Sequence, residues 1–211
     1  MIVDLLRGLA VSVEIFLCTL AVSLPLGIVI ALGRMSKNPL VSGFFRVYIS
    51  VVRGTPLMLQ IMFVYFAPYM LFGLPLSNYP RFLATVIAFG LNYAAYFAEI
   101  YRGGIQSIDR GQHEAAKALG MSKGRTFFRI ILPQTLKRVI PAIGNEVITL
   151  VKDTSLAFTI AVAEMFTIAK QLSSANTTMT PLIVAAVFYY VFNALVAWTM
   201  SRLEKRYAYY N

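Results

Sequence analysis

Apolar runs long enough to cross a bilayer alternate with short polar clusters along this chain. Residues 1–10 (MIVDLLRGLA) predict a short amphipathic segment lying at a membrane interface. Residues 11–33 predict a first span. Pro25 and Gly27 inside it are tolerated where neighbouring helices re-satisfy the backbone. Arg34 and Lys37 close that span, and Asn38 followed by Pro39 signals a turn. Residues 39–72 are too many for one span, and Arg46 and Arg53 divide them. The first part, 39–53, predicts an interfacial helix with snorkelling arginines. Gly54-Thr55-Pro56 then opens a second span over 56–72, with Pro56 in its first turn. An uncharged loop over 73–80 leads to a third span at 82–101.

A polar connector occupies 102–135, and a fourth span follows at 136–151. Residues 156–169 predict a further apolar helix; its length and Glu164 mark it as a buried or partial crossing. A polar loop over 171–180 precedes a fifth span at 181–200. The expected fold class is all-α: a polytopic membrane protein of about five transmembrane helices, with a helical connector between the third and fourth. No repeat, low-complexity tract or soluble domain interrupts it, so 1–211 reads as one domain.

Composition agrees. The chain has 211 residues, 58% of them hydrophobic and only 13% charged, where soluble domains average about 25% charged. Its mean hydropathy is +0.69. The formal net charge of +10 would suggest nucleic acid in a soluble protein. Here the cations sit in clusters between apolar runs, as the positive-inside rule produces, and no nucleic-acid partner is expected. A cytoplasmic connector puts Arg34, Lys37, Arg46 and the tail cations Arg202, Lys205 and Arg206 on one side. Only Arg7 and Arg81 fall opposite. The N-terminus is then outside and the C-terminus inside, unless 156–169 crosses fully and reverses the tail. Cys18 is the only cysteine and His113 the only histidine, which excludes a disulfide within the chain and a Cys- or His-based metal cluster. Asp4 and Glu14 break any signal-peptide pattern, so the first span is expected to act as its own uncleaved insertion signal.

The connector is ordered rather than merely polar. Glu114 to Leu119 are good helix formers. Ala115, Ala116 and Leu119 make a small-residue face, and Gly120 ends or sharply turns the helix. His113 reads as a surface residue at its start. Ser122 is placed to cap a second short helix from 123 to about 131, which Pro133 stops or redirects. Six cations lie in or beside the segment: Lys117, Lys123, Arg125, Arg129, Lys137 and Arg138. Taken alone, these residues fit an ordinary basic amphipathic loop as well as a docking element.

The Glu-Ala-Ala at 114–116, with Gly120, Ile130, Leu132 and Pro133 at their spacings, resembles the EAA motif of ABC importer permeases. RGTPLMLQ (53–60), NYAAYFAEIYRGGI (92–105) and VKDTSLAF (151–158) are similar to the polar amino acid uptake subfamily, and together they cover most of the chain from Arg53 onward. The resemblance implies a permease of a bacterial inner membrane that pairs with a second copy or a close paralogue. It implies an extracytoplasmic amino acid binding protein and a cytoplasmic ABC ATPase dimer as partners. Within the connector, 108–134, it implies a coupling helix whose Glu114, Ala115, Ala116, Leu119 and Gly120 enter a groove of that ATPase and drive alternating access. ATP and magnesium would then bind the partner, and the chain would be no enzyme. Consistently, no G-x-x-x-x-G-K-[ST] phosphate loop is present; Gly120 to Arg125 reads GMSKGR, with arginine in place of the required lysine.

Ionisable residues at membrane depth are functional candidates by default. Asn92, Tyr96, Glu99 and Gly103 fall at i, i+4, i+7 and i+11, one stripe of a helix. Glu146, Thr149 and Asp153 make a second stripe, with Thr154 and Ser155 following and Asn145 alongside. Facing each other, the two stripes offer donors for the carboxylate and acceptors for the ammonium of a zwitterionic amino acid. The carboxylates favour cationic or polar amino acids such as arginine, lysine, histidine or glutamine. Other roles stay open. Glu99 can pair with Arg102 or Arg53, Asp153 can pair with Lys152 or cap the following helix, Glu146 can join helices, and Glu14 and Glu164 fit structural or interfacial positions. Met58, Leu59 and Met62 form either an apolar gate or core packing. Two rival functions remain: an ion-coupled secondary amino acid transporter using Glu99 and Asp153, and a membrane hydrolase using Ser155 with Asp153, which lacks a convincing base because His113 sits in the cytoplasmic connector.

Overall fold

The computed structural model describes residues 1–76 and 80–208; among them every regular element is helical and no strand forms. The first helix, α1 (Ile2–Arg34), is unbroken. The expected interfacial segment 1–10 is therefore its opening turns. The reason is tertiary. Leu5 is fully buried in a cluster with Met165, Ala169 and Ala185. Gly8 lies so close to the same helix that a Cβ there would stand 2.7 Å from the Met165 Cα. Ser12 completes the contact by accepting from the Met165 N–H at 3.3 Å.

Next come α2 (Pro39–Gly54) and α3 (Leu57–Phe72), joined at an angle of 110°. Asn38 caps α2 by accepting from the Leu40 N–H, and Pro39 supplies its preset first turn. The two helices expected over 39–53 and 56–72 thus occur, as two arms of one bent element. At 16 residues α3 is about 24 Å long, short of a full bilayer core. Of the expected loop over 73–80, Gly73 ends α3 in the left-handed region, and residues 77–79 lie outside the described residues.

The central helix is α4 (Arg81–Gln106), packed against α1, α2, α3 and α7. Ala84, Ala88, Ala94, Ala95 and Ala98 on it are all buried. Lipid tails are as apolar as leucine, so close packing of such small residues, rather than removal from water, is what holds α1 and α4 together. At the N-terminal end of α4, Arg81 ties three segments, donating to the Tyr65 hydroxyl and to the Ala161 carbonyl, both at 3.3 Å.

The connector forms α5 (Arg110–Ala118) and α6 (Lys123–Thr126). Ser122 caps α6 through the Arg125 N–H. Pro133 does not stop this helix, contrary to expectation. The chain passes through one wide π-type turn (Phe127–Ile131) straight into α7 (Leu132–Asp153). There the Leu132 N–H reaches back five residues to the Phe127 carbonyl. A widened turn of this kind removes the clash of the proline ring with the carbonyl four residues earlier.

The single helix expected at 156–169 is two pieces. A 3₁₀ turn (Thr154–Ile160) ends at Ala161, φ 55°, and α8 (Met165–Asn176) starts afresh behind Glu164. Glu164 is wholly buried and caps α8, accepting from the Phe166 and Thr167 N–H groups at 2.7 Å each. Its carboxylate also accepts from the Thr167 hydroxyl at 2.7 Å and the Tyr189 hydroxyl at 3.0 Å. The polar stretch 171–180, expected as a loop, continues α8 to Asn176, leaving a short link before α9 (Thr180–Ala208). Helices α1, α4 and α9 are long and apolar enough to cross a membrane, and α2 with α3 qualify as a fourth, broken crossing. The 22-residue α7 is long enough but too polar to pass the same test.

Candidate functional site: coupling helix and polar path

Two features stand out. One is the α5 projection. Asp109 caps α5 by accepting from the Gly111 N–H at 2.6 Å. The helix ends in a double-bonded left-handed cap: Gly120 N–H to the Lys117 carbonyl and Met121 N–H to the Ala116 carbonyl, both 3.0 Å, with Gly120 at φ +70°. Arg138 of α7 holds the base of the projection by donating to the Ser107 carbonyl. Of the residues expected to couple, Ala116 turns inward and is buried, anchoring α5 to its own chain. Glu114, Ala115 and Gly120 are exposed, and Leu119 is 80% exposed, an apolar side chain protruding from a polar helix. A Gly120→Ala variant is expected to destabilise the α5 cap by about 1 kcal/mol, seen as a roughly fivefold faster hydrogen exchange of the α5 amides.

The other is the polar face between α4 and α7. Tyr93, absent from the stripe read from the sequence, is its hub. Its hydroxyl donates to the Asp153 carboxylate at 2.7 Å, across 60 residues of chain. Asp153 thus takes neither of its local options; it makes no side-chain cap and no ion pair with Lys152 among the described residues. Glu99 forms a two-pronged ion pair with Arg102, at 2.6 and 2.9 Å, one of its two considered partners. Glu146 is half-buried beside this group, within electrostatic reach of both Asp153 and Arg53. Thr149 is exposed. Thr154 is fully buried with its hydroxyl on the Val151 carbonyl, and the Ser155 hydroxyl is on the Lys152 carbonyl, both at 2.8 Å. Tyr96 is half-buried, and the Arg53 guanidinium lies over its ring, 5.0 Å from the centroid.

Asn92 is buried and has a different partner. Its amide donates to the Gln60 Oε1 at 3.0 Å. Gln60 Nε2 in turn donates to the Val52 carbonyl at 2.8 Å, the Thr55 carbonyl at 3.1 Å and the Thr55 hydroxyl at 2.8 Å. The α2–α3 break contains Pro56, which has no N–H for the Val52 carbonyl four residues back, and the Leu59 N–H that would serve Thr55 bonds the Pro56 carbonyl instead. Gln60 serves both carbonyls. This is why a broken helix is tolerated at membrane depth: its freed backbone groups are re-satisfied by side chains. The break also carries an apolar cavity of about 480 Å³, lined by Tyr48, Val51, Val52, Leu59, Phe63 and Leu91 among others. Leu59 of the expected gate borders it, and Met58 and Met62 share a partly exposed face of α3. The sequence carried a cue for Gln60, a polar residue one turn after a Gly-Thr-Pro break. It carried none for Tyr93.

Residues 23–209 match the family model described as the binding-protein-dependent transport system inner membrane component. The chain is 38% identical to the arginine transport system permease protein ArtQ of Bacillus subtilis (strain 168) over 203 residues, 96% of this chain and 91% of that protein. It is 39% identical to the L-cystine transport system permease protein TcyL of the same organism over 202 residues, 94% of this chain and 84% of that one. Among solved structures, a chain of an amino acid ABC transporter crystallised with histidines superposes with a TM-score of 0.88 at 34% identity, covering 96% of this chain and 94% of that one. The chain belongs to the binding-protein-dependent transport system inner membrane component family. It is a multi-pass membrane permease subunit of the ABC transporter class, and not an enzyme.

Proposed function

We propose that this permease carries an amino acid, polar or basic, inward across a bacterial inner membrane in an ATP-driven importer. The observation that carries this reading is the near full-length likeness to a chain of an amino acid ABC transporter. In this reading two permeases, identical or closely related, form the path, and an extracytoplasmic binding protein delivers the substrate. A cytoplasmic ATPase dimer, holding ATP and magnesium, grips α5 through Glu114, Ala115, Leu119 and Gly120, with Ala116 as the anchor. The connector and the C-terminus are cytoplasmic, and the N-terminus is outside. The polar helix α7 is the fifth crossing, tolerated because its charged face lines the path. Asp153 and Glu146 take the cationic end of the substrate, with Tyr96, Thr149 and Asn92 on the surrounding wall and Met58, Leu59 and Met62 as an apolar gate.

An ion-coupled mechanism is less well supported, since Glu99, one of its two coupling carboxylates, is already held by Arg102. Reconstituted with its ATPase and binding protein in liposomes, the permease is expected to take up amino acid only with ATP. Uptake that persists without the ATPase chain would sink the reading. Asp153→Asn is expected to lower uptake about tenfold or more while the complex still assembles, consistent with loss of a buried charge-assisted contact. Unchanged uptake removes Asp153 from the path.

A further inference from the structure

A zwitterion needs a donor for its carboxylate as well as acceptors for its ammonium, and most donors expected from the sequence are already engaged. The Asn92 amide donates to Gln60. The Thr154 and Ser155 hydroxyls bond carbonyls one turn back. Tyr93 donates to Asp153. Donors left near Asp153 and Glu146 include the hydroxyls of Tyr96 and Thr149, the Asn145 amide and the guanidinium of Arg53, whereas Lys152 lines a separate pocket with Phe166 and Leu182.

Arg53 differs from the other cations nearby. Arg102 is tied into Glu99 and Gln106. Arg53 has no carboxylate partner within ion-pair distance among the described residues, and its guanidinium lies over the Tyr96 ring. It sits at the last turn of α2, beside the Gly54-Thr55-Pro56 break that Gln60 and Asn92 brace. The bend carries the guanidinium over Tyr96 of α4, whose ring centroid lies 6.3 Å from that of Tyr93, the partner of Asp153 on α7. A guanidinium over an aromatic ring can still present N–H groups that match a carboxylate with two parallel hydrogen bonds.

We propose that Arg53 binds the α-carboxylate of the transported amino acid, opposite Asp153 and Glu146, which take its ammonium or cationic side chain. The proposal rests on the importer reading above. It turns the polar face into a site with one cationic end and one anionic end, which admits zwitterions and rejects simple amines. The two ends stand on elements joined only through packing, α2 on one side and α7 on the other, so a change in the α2–α3 bend would separate them.

The test is equilibrium binding to the purified permease–ATPase complex in detergent, without binding protein and without added lipid. The probes are L-arginine, L-lysine, L-histidine and L-glutamine, each against its decarboxylated counterpart: agmatine, cadaverine, histamine and 4-aminobutanamide. The wild-type complex is expected to bind at least one amino acid at least tenfold more tightly than its amine. Arg53→Gln is expected to weaken that amino acid at least tenfold and to leave the amine unchanged. Arg53→Lys, which keeps the charge and loses the fork, is expected to fall between, and it serves alone if the glutamine variant is not monodisperse. Equal binding by wild type and variants overturns the proposal and points instead to an arginine seated at lipid headgroups. An equal loss for amino acid and amine also overturns it, as a general effect on the site. Complexes that drive ATP-dependent uptake yet bind none of the four probes overturn it as well, and leave the importer reading standing. Absence of ATP-dependent uptake removes the importer reading itself.

Discussion

A Glu114→Lys permease is expected to fold and insert normally and to lose transport. Glu114 is exposed on α5 and makes no hydrogen bond or ion pair to the described residues, so its replacement disturbs nothing inside the chain. The helix itself is held by other means: the Asp109 cap, the buried Ala116 and the Gly120 turn. What changes is the charge that α5 presents outward, on a connector already rich in lysine and arginine. Reversing one charge at the centre of a protein–protein contact costs on the order of 2–4 kcal/mol, or thirtyfold or more in affinity. The measurement is co-purification with the ATPase subunit together with uptake, against circular dichroism and melting of the permease alone. A variant that retains wild-type uptake refutes the coupling role of α5. One that melts far below wild type refutes the claim that Glu114 is free of structural duty. Leu119→Asp provides a second probe of the same surface, because this leucine protrudes into solvent on the single chain.

The second large effect concerns stability. Glu164→Ala is expected to destabilise the permease by about 3–5 kcal/mol, with α8 loosening first. Four donors converge on that one buried carboxylate: two N–H groups of the first turn of α8, the Thr167 hydroxyl and the Tyr189 hydroxyl of α9. With the acceptor removed, all four lose their shared partner inside the fold. Glu164→Gln keeps the shape and one acceptor oxygen but introduces an amide donor among donors, so a smaller loss is expected. Thermal unfolding in detergent, with hydrogen exchange over residues 165–176, reads both variants. A Glu164→Ala protein that melts with wild type would show that the carboxylate is dispensable as a cap. The same contacts explain why the N-terminal turns of α1 are helical and fixed. They rest on Met165, the first residue of the helix that Glu164 starts.

Local signals in this chain were legible where the physics is local. Asn38 and Pro39 start α2, and Asp109, Ser122 and Gly120 frame the α5–α6 connector, because caps and left-handed turns depend on a few neighbouring residues. The large break at Gly54-Thr55-Pro56 was legible as punctuation, but its 110° bend was not, since the angle is set by Gln60 and Asn92 from two different helices. Pro133 misled for a related reason. A proline argues against a regular helix, and the chain answered with one wide turn rather than a stop. Glu164 was legible as an intramembrane carboxylate and even as a structural one. Its position as a cap between a 3₁₀ turn and α8 depended on the left-handed Ala161 and on Tyr189 from α9.

The amino-acid order alone determined the all-helical membrane class, the apolar runs, the basic helical connector and the motifs that place the chain in its family, because composition, periodicity and spacing along the chain carry that information directly. Only the tertiary structure decided which polar groups are free and which are engaged. Asn92, Glu99, Thr154 and Ser155 looked equivalent to Asp153 as candidates for the path, while Arg53 read only as a snorkelling arginine or a partner of Glu99. Their hydrogen bonds separate them: the first four are bound to Gln60, Arg102 and backbone carbonyls, whereas Asp153 meets Tyr93 from another helix and Arg53 rests on the ring of Tyr96. Spacing along a helix fixes the direction a side chain takes; the partner it meets there is set by the helix packed opposite.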